Sequence, residues 1–178
     1  MADCSKEKAP GPNGFNFDFF HACWEIIKDD LMEVFLEFFE NGIVNRITNG
    51  TYICLIPEKS NSLKIGDFRP ISLVSSLYKI IAKVLSLRLK EVLDSTIASS
   101  QSAFVKGRQI LDAILVANEV VEEFRSKKKE GVVFKIDFEK AYDHVDWDFL
   151  DFVLEAKGFG SKWRSWIRGY LKTTNFSI

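Results

Sequence analysis

The sequence predicts an α+β fold, in which amphipathic helices accompany a β-hairpin and one further buried strand. Apolar residues recur every three or four positions in residues 17–40, 76–93 and 110–129, the spacing of helices that bury one face. Residues 51–74 contain two apolar, β-branched segments around a polar stretch, which predicts a hairpin. The short apolar run Val132 to Ile136 follows a glycine and favours a central strand.

Composition limits the class of protein. The chain has 178 residues, of which 47% are hydrophobic and 28% charged, which is typical of one or two globular domains. The net charge is −1, so any nucleic-acid binding must come from local basic patches. The three cysteines lack metal-site spacing and are odd in number, which favours a reducing, intracellular compartment, cytoplasmic or nuclear. We find no signal peptide and no apolar run long enough to span a bilayer, so no membrane partner is expected.

The stretch Gly131 to Trp147, GVVFKIDFEKAYDHVDW, carries the candidate chemistry. Asp137 ends the apolar run, at a position where a core strand would still be apolar. A carboxylate just past a buried strand is well placed to hold Mg²⁺, which prefers oxygen ligands. Asp143 and Asp146 are more simply interpreted as acidic residues at the start of a helix.

This stretch resembles motif A of the reverse transcriptases of LINE-type (non-LTR) retrotransposons, in the form found in plants. The resemblance implies that Asp137 is the catalytic residue and metal ligand, and that Phe138 lends its backbone carbonyl to the site. It also implies that Tyr142 is a steric gate against a 2′-hydroxyl on the incoming nucleotide. Three upstream segments match the family, in the family's order. The first is the P-G-P-N-G loop at 10–14, in which Asn13 stands where the family usually has aspartate. The others are L-I-P followed by F-R-P-I-S-L, and Q-S-A-F followed by G-R.

Those upstream segments imply binding residues. In the family the hairpin belongs to the fingers, and its arginine contacts the triphosphate. The resemblance carries this role over to Arg69, with either Lys59 or Lys64 as the assisting lysine. Arginine suits that role because its planar fork binds phosphate through two hydrogen bonds. Arg69 and Asp137 are expected to face the same cleft. Without the resemblance, an ordinary solvated surface hairpin is the simpler explanation of the basic tip.

The Q-S-A-F…G-R segment is expected to support the template strand. The resemblance carries this role over to Gln101, Phe104 and Arg108. An aromatic ring beside an arginine can stack on bases and hold phosphate. Phe104 could equally fill a core.

The resemblance implies an organisation like the fingers and first half of the palm of a right-hand polymerase, with an incomplete palm sheet. Residues 1–15 would form an N-terminal loop, 16–130 a fingers-like region and 131–178 a partial palm. The family continues with a glycine-rich motif B and an Ala-Asp-Asp turn, which this sequence does not contain. Two-metal phosphoryl transfer requires more than one carboxylate. We therefore expect a truncated RNA-directed DNA polymerase domain with an incomplete Mg²⁺ site, inactive alone.

The resemblance implies an RNA template, a DNA primer and a deoxynucleoside triphosphate as partners. We also expect self-association through an exposed palm surface. One alternative is a nucleic-acid-binding module derived from the fingers without catalysis, which salt-dependent binding to a primer–template would favour. Another is a Mg²⁺-dependent hydrolase site formed by Asp137, Asp143 and Asp146.

Overall fold

The computed structural model describes residues 8–45, 48–103, 105, 107–136, 144–172 and 175–177. Within these ranges the chain forms six α-helices, one 3₁₀ turn at Ile65–Asp67 and three strands, which confirms the predicted α+β class. The helices are α1 (Phe17–Ala22), α2 (Trp24–Asn41), α3 (Ser76–Thr96), α4 (Ile110–Ser126), α5 (Trp147–Ala156) and α6 (Ser161–Lys172). The strands are β1 (Gly50–Pro57), β2 (Phe68–Val74) and β3 (Asn175–Ser177). The chain divides into two compact units, one of Met1–Leu85 with Trp147–Ile178 and one of Ser86–Asp146.

The sheet of the first unit has the strand order β2-β1-β3. Strands β1 and β2 pair antiparallel from Thr51 opposite Val74 to Pro57 opposite Phe68, which is the predicted hairpin. Strand β3 pairs parallel with β1, from Gly50 opposite Asn175 to Tyr52 opposite Ser177. The hairpin therefore projects its 3₁₀ turn from the end of a paired strand ladder.

The first predicted helix is in fact two helices. Cys23 separates α1 from α2, and its backbone lies outside the helical region at φ −94° and ψ 10°. No glycine or proline marks this break, so nothing local in the sequence signals it. Gly42 ends α2 with a left-handed φ of 70°, as its position after the helix predicts.

The core of the first unit is built around α2, α3 and α6. Its fully buried residues are Phe38, Val44, Tyr78, Ile81 and Leu85. The aromatic face of α6 packs against this cluster through Trp163, Trp166, Ile167 and Tyr170. Two hydrogen bonds fix α6 on the core: the Trp166 indole donates to the Phe39 carbonyl at 2.8 Å, and the Tyr78 hydroxyl donates to the Tyr170 carbonyl at 2.9 Å.

The basic stripe of α6 pairs with the acidic face of α5. Arg164 donates two hydrogen bonds to Asp151, at 3.0 and 2.6 Å, and a further one to Glu155. Arg168 also contacts Asp151, and Lys172 lies 3.6 Å from Asp148. Helical spacing alone would leave this basic stripe as a solvated surface face, whereas the structure places much of it against complementary charges.

This pairing predicts an acid-sensitive contribution to stability. The hydrogen bonds from Arg164 hold the pKa of the Asp151 carboxyl at about 2, below its ordinary value of 3.8. The Asp151 carboxyl therefore binds a proton more readily in the unfolded chain than in the folded one. The contribution of the Asp151–Arg164 pair to stability is complete above about pH 4 and is lost as the pH falls towards about 2. Asp151→Asn is expected to lower the urea midpoint at neutral pH and to flatten its fall in this acid range.

The companion variant Arg164→Met is expected to flatten the same pH range, because it removes the main partner of Asp151. Urea unfolding followed by tryptophan fluorescence at a series of pH values measures both effects. If the urea midpoint of Asp151→Asn falls with pH as steeply as that of the unchanged chain, the Asp151–Arg164 pair contributes nothing to stability.

The second unit departs from prediction in two ways. Helix α4 has no buried residue. The apolar residues on the face that was expected to point inward are 40–63% exposed: Leu111, Ile114, Leu115, Val121 and Phe124. Residues Val132 to Ile136 form no strand in the described part of the chain, and their apolar side chains are 74–85% exposed. An apolar run becomes a strand only when another strand satisfies its backbone groups, and sequence periodicity does not reveal that partner.

Helix α4 ends at Ser126, three residues before the predicted end, and Lys128 adopts a left-handed φ of 48°. None of the described helices is both long and apolar enough to cross a membrane.

Candidate functional site

The turn of the β1–β2 hairpin is organised around the Asp67 carboxylate. It accepts hydrogen bonds from the ammonium of Lys59 at 3.1 Å and from the backbone N–H groups of Leu63 and Lys64, at 3.3 and 3.2 Å. The hydrogen bond from Lys59, reinforced by the two backbone bonds, lowers the pKa of Asp67. Aspartate is favoured in turns for this ability to accept from nearby backbone N–H groups. The result is a tip held in one conformation by its own side chains.

Arg69 lies at the start of β2, opposite Ile56 on β1. Its Nε donates to Oε1 of Glu58 at 2.9 Å, and its side chain is 72% exposed. That bond uses one of the five N–H donors of the guanidinium. Among the described residues, none accepts a hydrogen bond from the terminal Nη1 and Nη2 atoms of Arg69.

The two candidate lysines of the hairpin differ in their surroundings. Lys59 is engaged by Asp67, as described above. Lys64 is exposed, and within the described ranges no hydrogen bond or ion pair is recorded for its ammonium group. The choice between them, which spacing alone left open, therefore favours Lys64 as the lysine available to a ligand.

The P-G-P-N-G loop packs where β2 runs into α3. A Cβ on the buried Gly11 would lie 2.5 Å from the Ser75 backbone nitrogen, so no side chain fits there. The Ser76 hydroxyl donates to the Phe15 carbonyl at 2.7 Å, and the Lys79 ammonium donates to the Ala9 carbonyl at 2.6 Å. Burial lowers the pKa of Lys79, and the positive charge of Lys8 lowers it further. These contacts join the N-terminal loop to the start of α3, just after the F-R-P-I-S-L strand.

Ser75 is the N-cap of α3, which begins at Ser76. Its hydroxyl oxygen accepts from the Tyr78 backbone N–H at 3.2 Å and donates to the Thr48 carbonyl at 2.6 Å. One side chain thus caps the helix and holds the segment that leads into β1.

The loop between α3 and α4 is held by Arg108, in the second unit. Its Nη1 donates to the carbonyls of Ala98 and Gln101 at 2.6 and 2.8 Å. Its Nη2 donates to the Asp94 carbonyl at 3.3 Å and to the Asp94 carboxylate at 2.7 Å. The guanidinium is only 19% exposed. Arg108 thus has a structural role that its motif did not predict, while Gln101 is exposed beside it.

Several predicted site residues lie outside the described residues: Asp137, Phe138, Tyr142 and Phe104. Their predicted roles stay predictions. Across the residues that are described, no group of three His, Cys, Asp or Glu side chains could hold a metal ion. The described donors alone therefore do not form a Mg²⁺ site, and no metal-dependent step is derived from them.

Comparison with known proteins identifies the family. Residues 56–177 match the family model described as reverse transcriptase (RNA-dependent DNA polymerase). Because this match covers well over half of the chain, the chain belongs to the reverse transcriptase family. The relatives below are proteins of transposable elements, in agreement with the LINE (non-LTR) type that the motifs indicate.

Three curated relatives are similar along most of the chain. The transposon TX1 uncharacterized 149 kDa protein of Xenopus laevis is 36% identical over 93% of the chain. The retrovirus-related Pol polyprotein of the type-1 retrotransposable element R1 of Bradysia coprophila is 24% identical over 81%. The corresponding R2 polyprotein of Nasonia vitripennis is 22% identical over 93%. The chain spans only 12%, 14% and 16% of these proteins, respectively.

Proposed function

We propose that the chain supplies the fingers and the first half of the palm of an RNA-directed DNA polymerase of a LINE-type retrotransposon. In this proposal the β1–β2 hairpin binds the triphosphate of the incoming deoxynucleotide. The observation that carries it is the position of Arg69 in an F-R-P-I-S-L strand of this family, with its terminal nitrogens exposed on a rigid hairpin. Lys64 is the neighbouring cation we assign to the same ligand.

The hairpin has the properties that phosphate binding requires. A guanidinium binds phosphate best through two parallel N–H donors, and the terminal nitrogens of Arg69 supply such a pair. The turn beside it is fixed by Asp67, so little conformational entropy is lost when a ligand binds. Lysine adds a mobile positive charge without a fixed geometry, which suits Lys64 as the assisting group.

The palm assignments remain family-level proposals. Asp137 would be a ligand of Mg²⁺, which in this family neutralises charge during phosphoryl transfer; Phe138 would contribute its carbonyl and Tyr142 would exclude a 2′-hydroxyl. The sequence contains no Ala-Asp-Asp motif. A polypeptide of these 178 residues is therefore expected to bind nucleotide without extending a primer.

The proposed macromolecular partners are an RNA template and a DNA primer, with Gln101 and Phe104 near the template. Self-association is proposed through apolar side chains exposed in residues 131–178. They include Val132, Val133 and Phe134 in the second unit, and Phe149 and Phe152 in the first. Exposed apolar patches commonly mark interaction sites.

Arg69→Ala in the 178-residue chain tests the hairpin assignment, with affinity for thymidine triphosphate and Mg²⁺ measured by calorimetry or by NMR titration. We expect affinity to fall about tenfold or more, since hydrogen bonds to charged groups contribute about 1.5–3 kcal/mol. Arg69→Lys is expected to restore only part of it, because lysine keeps the charge but loses the fork. Arg125→Ala removes an arginine that is 81% exposed and is the matched control. Equal affinities for Arg69→Ala and the unchanged chain would refute the assignment.

A further inference from the structure

The carboxylate of Glu58 binds Arg69 through Nε alone. We propose that Glu58 is a positioning residue: it fixes the guanidinium so that Nη1 and Nη2 face a phosphate-containing ligand. This inference rests on the proposed function, since it concerns how the same arginine is presented. Glu58 belongs to none of the matched motif positions, because it follows L-I-P and precedes F-R-P-I-S-L.

The geometry of a guanidinium makes the choice of donor important. Its five N–H donors form a rigid planar fork, which can bind an oxyanion side-on through Nε and one Nη, or end-on through both Nη atoms. The 2.9 Å bond from Nε to Glu58 occupies the side-on position. The end-on pair is left for a second anion. A carboxylate seated across both Nη atoms would instead have blocked the phosphate position.

Glu58 is itself well fixed. It directly follows the last residue pair of the hairpin, Pro57 with Phe68. Its backbone N–H donates to the Asp67 carbonyl at 2.9 Å, which extends the ladder by one further bond. The Glu58 side chain is exposed, but less so than the arginine it holds, at 44% against 72%. A constrained acceptor thus orients a long side chain that would otherwise sample many rotamers.

The negative charge of Glu58 acts against anion binding, and the test must separate charge from positioning. Glu58→Gln removes the charge but keeps a side-chain oxygen that can accept from Nε–H. Glu58→Ala removes both. The two variants have equal charge, so the difference between them isolates the hydrogen bond. Inorganic tripolyphosphate without metal is the probe, because it reports on the hairpin and needs no other part of the site.

We expect Glu58→Ala to bind tripolyphosphate about threefold more weakly than Glu58→Gln, within the range of exposed ion-pair energies. In an Arg69→Ala background the two variants are expected to bind equally, because there is then no guanidinium to position. Equal or tighter binding by Glu58→Ala in the Arg69 background would overturn the inference. It would show that Glu58 acts only as a counter-charge.

The Nε–H resonance of Arg69, assigned by its loss in Arg69→Lys, provides a second readout. It is expected to keep its bonded position when tripolyphosphate binds to the unchanged chain, since the Glu58 contact persists. A shift to the position seen in Glu58→Ala would mean that phosphate displaces Glu58, which also overturns the inference. If Arg69→Ala leaves tripolyphosphate affinity unchanged, the proposed triphosphate site itself fails. If Arg69→Ala lowers tripolyphosphate affinity while Glu58→Ala and Glu58→Gln bind with equal affinity, only the positioning role of Glu58 fails.

Discussion

Gly169→Ala is expected to lower the free energy of unfolding of the first unit by about 3 kcal/mol, at the upper end of overpacking substitutions. Gly169 lies in the last turn of α6, where the helix meets the end of α2. A Cβ placed on it would lie 1.5 Å from the carbonyl oxygen of Gly42. The obstruction is backbone and not the end of a flexible side chain, so α6 itself must move away. That movement also disturbs the hydrogen bonds of Trp166 and Tyr170 to their partners.

Urea unfolding followed by tryptophan fluorescence measures this effect directly, since Trp163 and Trp166 lie on the packed face of α6. Gly66→Ala is the matched control, because a Cβ there has no atom within 4 Å and the residue has no left-handed φ. The control is expected to change the unfolding free energy by less than about 0.5 kcal/mol. An unfolding midpoint for Gly169→Ala equal to that of the unchanged chain would contradict the packing of α6 against Gly42.

The elements of the first unit were largely predictable, because their signals are local. The β1–β2 hairpin has two apolar strands around a polar turn, and α6 shows its aromatic face at helical spacing. Both lie where the pattern indicates, within one or two residues. The end of α5 was predictable for a similar reason, because Gly158 adopts a left-handed φ of 83° just beyond it.

The failures concern features that depend on distant partners. The apolar faces of α4 and of Val132 to Ile136 have the expected pattern, but a pattern does not supply the surface that would cover them. The close approach of Gly169 to Gly42 joins residues 127 positions apart and leaves no mark in either neighbourhood. In contrast, the acidic spacing of α5, at 148, 151 and 155, matches the basic spacing of α6, and that pairing could have been predicted.

The candidate site divides in the same way. The family motif predicted Arg69 and the hairpin that carries it, but not the partners that orient them. Glu58 and Asp67 are ordinary polar residues in the sequence, and only the folded turn shows which donors they accept from. Asp67 before F-R-P was the more detectable of the two, since aspartate is common where a turn needs an acceptor.

Arg108 gives the sharpest contrast between a motif role and a structural one. Its guanidinium makes three hydrogen bonds to backbone carbonyls and a fourth to the Asp94 carboxylate. Arg108→Ala leaves those carbonyls without this donor and removes the link between the end of α3 and the loop. We expect this to lower the stability of the loop and the last turn of α3 by about 1.5–3 kcal/mol, the range for hydrogen bonds to charged groups.

Hydrogen exchange is the suitable measurement, because it reports the local opening of this segment separately from the first unit. The backbone amides of Ile97 and Gln101, which donate to Leu93 and Ala98, are expected to lose protection in Arg108→Ala. Arg125→Ala, in the same unit but 81% exposed, is expected to leave them unchanged. A direct template contact predicts a different result: Arg108→Ala would keep full amide protection and lose only affinity for a primed RNA template. We expect Arg108→Ala instead to lose both amide protection and template affinity, because the four hydrogen bonds of the guanidinium already commit it to the protein. A fall in affinity in proportion to the fraction of molecules in which the loop is open would assign Arg108 to the support of a template-binding loop.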